Sequence, residues 1–177
     1  MNQLKLTTSV SQQEGMLMCN IFLEIDGERL EGFNTDPLDL LNMFKDPSWV
    51  RSHDDRYVYL WTCGCGEPGC AGISECKVLR RIETIVEILV PRPASYHMFA
   101  DKESDGYERW KDEQTLKRYV FSLIDVKTEL LRLAAELREI TSKHDLYGYG
   151  FGYVKWDDSD TLIDLPGTIE HQLGSIK

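Results

Sequence analysis

Residues 73–90, Ile73-Ser-Glu-Cys-Lys-Val-Leu-Arg-Arg-Ile-Glu-Thr-Ile-Val-Glu-Ile-Leu-Val90, hold two strand-like runs with almost no chain between them. Ile73 to Leu79 and Ile82 to Val90 are both rich in branched aliphatic residues, and Pro91 and Pro93 stop the second run. A parallel pair needs a crossover of about a dozen residues or more, and here there is room only for a turn. The two runs must therefore pair antiparallel. Upstream, Arg56-Tyr-Val-Tyr-Leu-Trp-Thr62 is dense in aromatic and branched residues and supplies a third strand. Three strands on short connections predict an antiparallel meander.

Further toward the amino terminus, Met16 to Ile25 reads MLMCNIFLEI, followed by Asp26-Gly27 and then ERLEGF. Asp-Gly between two strand-like runs predicts a two-residue hairpin turn, because both turn positions need positive φ. Cys19, Ile21, Leu23 and Ile25 share one face at period two; Asn20 and Glu24 take the other, with Phe22 interrupting it. The segment before it, about residues 1–14, carries no comparable signal and is expected to be flexible. Asn34-Thr-Asp-Pro37 predicts a helix start, with a capping side chain and proline in the first turn. That helix is short, because Pro47 forces Asp46 out of helical space.

Downstream, residues 94–118 are polar and poorly patterned, and Tyr119-Val-Phe121 offers one more short strand. Asp125 to Ser142 predicts a long helix: Val126, Leu130, Leu133, Ala134, Leu137 and Ile140 line one face, with Lys127, Glu129, Arg132, Glu136 and Arg138 on the other. No internal repeat or low-complexity linker divides the chain. The expected fold is a single α+β domain over residues 1–177, with an antiparallel sheet, one long helix packed on a face and a short N-terminal helix.

The chain carries 30 acidic against 20 basic residues, a net charge of −10. A field of that sign repels phosphate backbones and anionic lipid surfaces, so neither nucleic acid nor membrane is an expected partner. It suits solubility, or a basic protein partner. The amino terminus lacks the basic start and apolar core of a signal peptide. Five cysteines, three of them within eight residues, do not resemble the even framework of a secreted domain. The expected compartment is cytoplasmic.

The unusual motif is Cys63-Gly-Cys65-Gly-Glu-Pro-Gly-Cys70-Ala-Gly72, with Cys76 six residues beyond Cys70. Four glycines and a proline in ten residues demand a tight loop with special backbone angles. Thiolates gathered by such a loop can hold zinc tetrahedrally, with Cys63, Cys65, Cys70 and Cys76, or a histidine such as His53, as the ligand set. The spacing departs from the two pairs typical of structural zinc. Two other readings stand beside it: thiols that simply pack, as cysteine often does, and a reactive thiol with His53 as base. If the strand reading holds, Cys76 shares a face with Ser74 and Val78 and belongs to the core. The run Trp61 to Ile73 resembles a signature, roughly Cys-x-Cys-Gly-x-x-Gly-Cys-x-Gly, in small uncharacterised bacterial proteins. The resemblance spans about residues 56–90, and it implies a bacterial origin and a shared loop between β segments, with no activity attached.

The remaining candidates have bland explanations. His53-Asp-Asp55 reads as a charged turn. His97, His144 and His171 lack acidic or cysteine neighbours at metal spacing, and His144 suits the end of the long helix. Trp156-Asp-Asp-Ser-Asp160 lacks the glycine and terminal glutamate of a calcium loop. Tyr147, Tyr149, Phe151 and Tyr153, separated by other residues including glycines, form an aromatic strip that reads as core cover or, alternatively, as a contact surface. Phosphate-loop, nucleophile-elbow and His-Glu-x-x-His patterns are missing from the sequence. The functional expectation is a non-enzymatic module that binds another protein, an immunity- or antitoxin-type role toward a basic partner being its concrete form. A zinc-stabilised domain and a cysteine-dependent enzyme are the alternatives.

Overall fold

Alternating apolar residues from Met16 to Ile25 build the central strand of the first of the two sheets found among the described residues. In the computed structural model the described residues are 1–29, 34–44, 56–58, 60–61, 76–82, 84–91, 116–151, 155 and 161–176. Strand β1 (Leu4–Gln13) pairs antiparallel with β2 (Met16–Ile25), from Leu4 opposite Ile25 to Gln13 opposite Met16. The turn between them is Glu14-Gly15, at φ 51° and 87°. Strand β3 (Glu28–Arg29) follows through Asp26-Gly27, at φ 54° and 81°. Both turns place two consecutive residues at positive φ, the geometry whose twist matches that of the flanking strands.

The amino-terminal segment thus departs from expectation: residues 4–13 are strand rather than flexible chain. The physical reason is burial. Leu6 is fully enclosed and Leu4 and Val10 pack against the core, so the strand has an inner face despite its Thr, Ser and Gln content. The expected inner face of β2 holds, with Cys19, Ile21, Leu23 and Ile25 all buried. Phe22, on the opposite face, lies under the Arg29 guanidinium, 3.4 Å from its ring centroid, so a cation shields the ring that interrupts the polar pattern.

The second sheet is the expected antiparallel meander, in the order β4 (Arg56–Val58), β5 (Cys76–Ile82), β6 (Ile85–Pro91) and β7 (Leu116–Ser122). The two runs that open the sequence argument pair, with Lys77 opposite Leu89 and a register shift between Val78 and Arg80, but Ile82, expected to open the second run, instead closes β5 opposite Ile85. Leu60 and Trp61 are buried but lie beyond the end of β4, so that strand is shorter than its composition suggests. Thr35 Oγ1 donates to the Leu60 carbonyl at 2.9 Å, anchoring this departure from the sheet.

Among the described residues, three helices accompany the sheets. Helix α1 (Pro37–Asn42) begins at Asp36, whose Oδ1 accepts the Leu38 N–H at 2.9 Å. Helix α2 (Leu123–Lys143) continues directly from β7; Leu123 N–H donates to the Thr84 carbonyl at 2.7 Å and ties the helix start to the β5–β6 turn. Its buried residues, Leu123, Val126, Leu130, Leu133, Ala134 and Leu137, match the predicted apolar face, with Ile140 half-buried at its edge. Strand β8 (Gly148–Tyr149) then pairs parallel with β2 at Met18 and Cys19. Helix α3 (Leu165–Ser175) is capped by Asp164, which accepts the Gly167 N–H at 3.0 Å.

One buried cluster draws side chains from both sheets and all three helices. Gly150 shows how closely its parts approach. A Cβ there would overlap Asn20 Oδ1 and come within 2.8 Å of Asn34 Nδ2, the same amide that donates to the Gly150 carbonyl at 2.9 Å. Among the described residues, no helix is long and apolar enough to cross a membrane.

Candidate functional site

Of the cysteine set proposed for metal, Cys63, Cys65 and Cys70 lie outside the described residues, as do His53 and His97. Cys76 is the first residue of β5, opposite Val58 of β4, and it is fully buried within the hydrophobic cluster, outside any disulfide. That is the placement of a core cysteine. Cys19, in β2, is equally buried; burial first, and the Glu136 charge second, push its thiol up to about 12. It is a neutral thiol near neutral pH and a poor nucleophile. Among the described residues, no three His, Cys, Asp or Glu side chains gather into a metal-binding group.

Of the aromatic strip, Tyr147 is half-buried, Tyr153 lies outside the described residues, and the other two turn inward. Tyr149 and Phe151 are buried, with ring centroids 5.7 Å apart and planes 21° from parallel. His144 ends α2 and stays exposed, its backbone N–H donating to the Ile140 carbonyl at 2.9 Å. His171 is exposed on α3.

The feature with the character of a contact surface is the outer face of α2. Ile124 is 65 % exposed and Leu131 50 %, seven residues apart and so two turns along the same side. Thr128 and Ala135, also exposed, fill the same stripe. Ile85, 39 % exposed, lies opposite Ser122 at the foot of the helix. The polar flank toward β1, read from the sequence as lying away from the apolar face, is tied to that strand, so the stripe is presented on a held support. Leu6 N–H donates to Glu129 Oε1 at 2.6 Å, the Leu6 carbonyl accepts from Arg132, and Thr8 Oγ1 donates to Glu136. These contacts also satisfy backbone groups on the outer edge of β1. Arg132 bridges Glu129 at 2.7 Å and Glu136 at 2.6 Å, and the Glu129 hydrogen bond, ahead of that from Glu136, raises its already high pKa. On the other side Arg138 is paired with Glu170 of α3, and Lys127 Nζ donates to the Ile176 carbonyl at 2.7 Å.

Sequence reasoning placed the inner face of α2 and overlooked the outer one, although the signal is present. At 100° per residue Ile124 and Leu131 project almost opposite Val126 and Leu133. Comparison of the chain with protein-family models, with curated protein sequences and with solved structures gives no match in any of the three.

Proposed function

We propose that this chain is a binding module for another protein rather than a catalyst, and that it presents the outer face of α2 to its partner. The observation that carries this reading is the exposure of Ile124 and Leu131 on a helix whose other side is packed and hydrogen-bonded. Each such side chain gains about 1.5–3 kcal/mol when fully buried, so a partner that covers both gains a useful share of its binding free energy from the pair. A net charge of −10 supports a basic partner, since complementary fields speed encounter, and an immunity-type role is one form this takes.

A photo-crosslinking amino acid in place of Thr128 tests the reading in the cells that make the protein, with the same probe at Gln12 for reference. Discrete protein adducts at position 128 that disappear with Leu131→Glu are expected. Adducts no different from those at Gln12, or adducts indifferent to Leu131→Glu, overturn it.

A further inference from the structure

At the far end of α2 the chain turns back through Leu146, adds Tyr149 to the first sheet and returns through residues 161–164 into α3. These segments enclose an open-mouthed cavity of about 350 Å³. That volume lies within the span of small-molecule sites, which pair a mostly apolar wall with a few placed polar groups. Leu146, Leu162 and Pro166 provide apolar wall here.

The polar groups have a definite balance. Lys155 Nζ is spent on Asp145 Oδ1, at 2.7 Å. Asp164 uses Oδ1 on the Gly167 N–H at 3.0 Å, and its other oxygen has no hydrogen bond among the described residues. Among the described residues the lining thus holds one ion pair and one further carboxylate, Asp164, which caps α3 and lies within electrostatic reach of Arg138, beside the negative end of the α2 dipole. Tyr149, fully enclosed, stands in the wall of the same cavity, and among the described residues its hydroxyl has no hydrogen-bond partner. A buried hydroxyl left unpaired costs about 1–3 kcal/mol, so the site has an unmet polar valence. Burial above all, with Cys19 and Asp164 adding to it, pushes the Tyr149 phenol well above its ordinary 10, which keeps it protonated and places Asp164 within electrostatic reach of it.

We propose that this cavity binds a small organic ammonium ion with an apolar body, Asp164 supplying the counter-charge and the Tyr149 hydroxyl a second polar contact. An anionic ligand would meet the Asp164 carboxylate and find the Lys155 ammonium already engaged. The site is separate from the outer face of α2 and does not depend on its role.

Titration of the full chain with phenethylamine, 3-phenylpropionate and 2-phenylethanol in one common buffer tests the assignment. Calorimetry is expected to show binding of the amine, weaker binding of the alcohol and none of the carboxylate. Asp164→Asn removes the charge and retains a good helix cap, so it is expected to weaken the amine at least tenfold with the fold intact by circular dichroism. Tyr149→Phe is expected to weaken it several-fold. Amide resonances of Leu146 and Gly167 should shift on adding the amine while that of Ser9 stays fixed, a readout that needs no variant. Absence of amine binding, equal or tighter binding of the carboxylate, amine affinity unchanged by Asp164→Asn, or shifts that do not map to the cavity each overturn the proposal.

Discussion

Asn2 and Val120 exchange two hydrogen bonds: Asn2 N–H donates to the Val120 carbonyl at 2.8 Å, and Val120 N–H donates to Asn2 Oδ1 at 2.8 Å. Asn2, two residues ahead of β1, therefore closes the free edge of β7 and links the two sheets. Its side-chain nitrogen also donates to Asp26 Oδ2 at 2.6 Å, so the same amide fixes the β2–β3 turn. Asn2→Ala removes both side-chain bonds and leaves the Val120 N–H without its acceptor. The expected loss is about 1–2 kcal/mol in chemical denaturation, with faster hydrogen exchange at the Val120 amide. Unchanged stability together with unchanged exchange would show the two sheets to be joined elsewhere.

Asp26 gives the same region a pH dependence. Its carboxyl is held below the ordinary 3.8 by the Asn2 side chain first and the Gln3 backbone N–H second. A lowered folded-state pKa means that folding favours the ionised form, so the contribution is fully present above 3.8 and is lost as pH falls through the lower folded value. Asp26→Asn keeps a residue suited to positive φ and removes this titration. The stability difference between the native chain and Asp26→Asn should be flat at neutral pH and shrink in acid below about pH 4. A difference that grows in acid would contradict the assignment.

Two glycines predict opposite outcomes for the same substitution. At Gly150 an added Cβ overlaps Asn20 and crowds Asn34, both of which are buried. Gly150→Ala is expected to cost about 1–3 kcal/mol, because neither amide can move without breaking its own bond to Ser11 or to the Gly150 carbonyl. Gly174, in α3, has nothing within 4 Å of the corresponding position. Gly174→Ala is expected to stabilise by about 0.5 kcal/mol through helix propensity. Thermal melts of the two variants should move in opposite directions.

How much was legible in the sequence varies with the kind of signal. The meander was readable because its runs are dense in branched and aromatic residues and joined by short connections, α2 because its apolar residues repeat at the helical period, and the β2–β3 turn because Asp-Gly needs no tertiary help. Strand β1 was not, since only Leu4, Leu6 and Val10 mark its inner face and the rest of that face is Thr8 and Gln12. Its partner was a turn away, but Glu14-Gly15 is a weaker form of the signal carried by Asp26-Gly27. Helix α3 was hidden by Pro166, Gly167 and Gly174, although Asp164 followed by a first-turn proline is a start signal in its own right. The cavity depends on Tyr149, Lys155 and Asp164 meeting across three segments, which no local pattern records. The outer face of α2 was visible as apolar residues, but only burial distinguishes which of the two apolar faces of the helix meets water.

That distinction yields the last prediction. Ile124 and Leu131 make no contribution to the enclosed core, so Ile124→Lys and Leu131→Glu should each change stability by no more than about 0.5 kcal/mol. The comparison on the same helix is Leu130→Ala, which opens a cavity under a fully buried residue and is expected to cost about 2–5 kcal/mol. Neighbouring leucines on one turn thus carry separate roles, one for folding and one for contact. The doubly substituted Ile124→Lys, Leu131→Glu chain should fold and melt as the native chain does and yet lose the crosslinked adducts at position 128. Loss of stability comparable to Leu130→Ala would place these side chains in the core, and retention of the adducts would move the contact surface off α2.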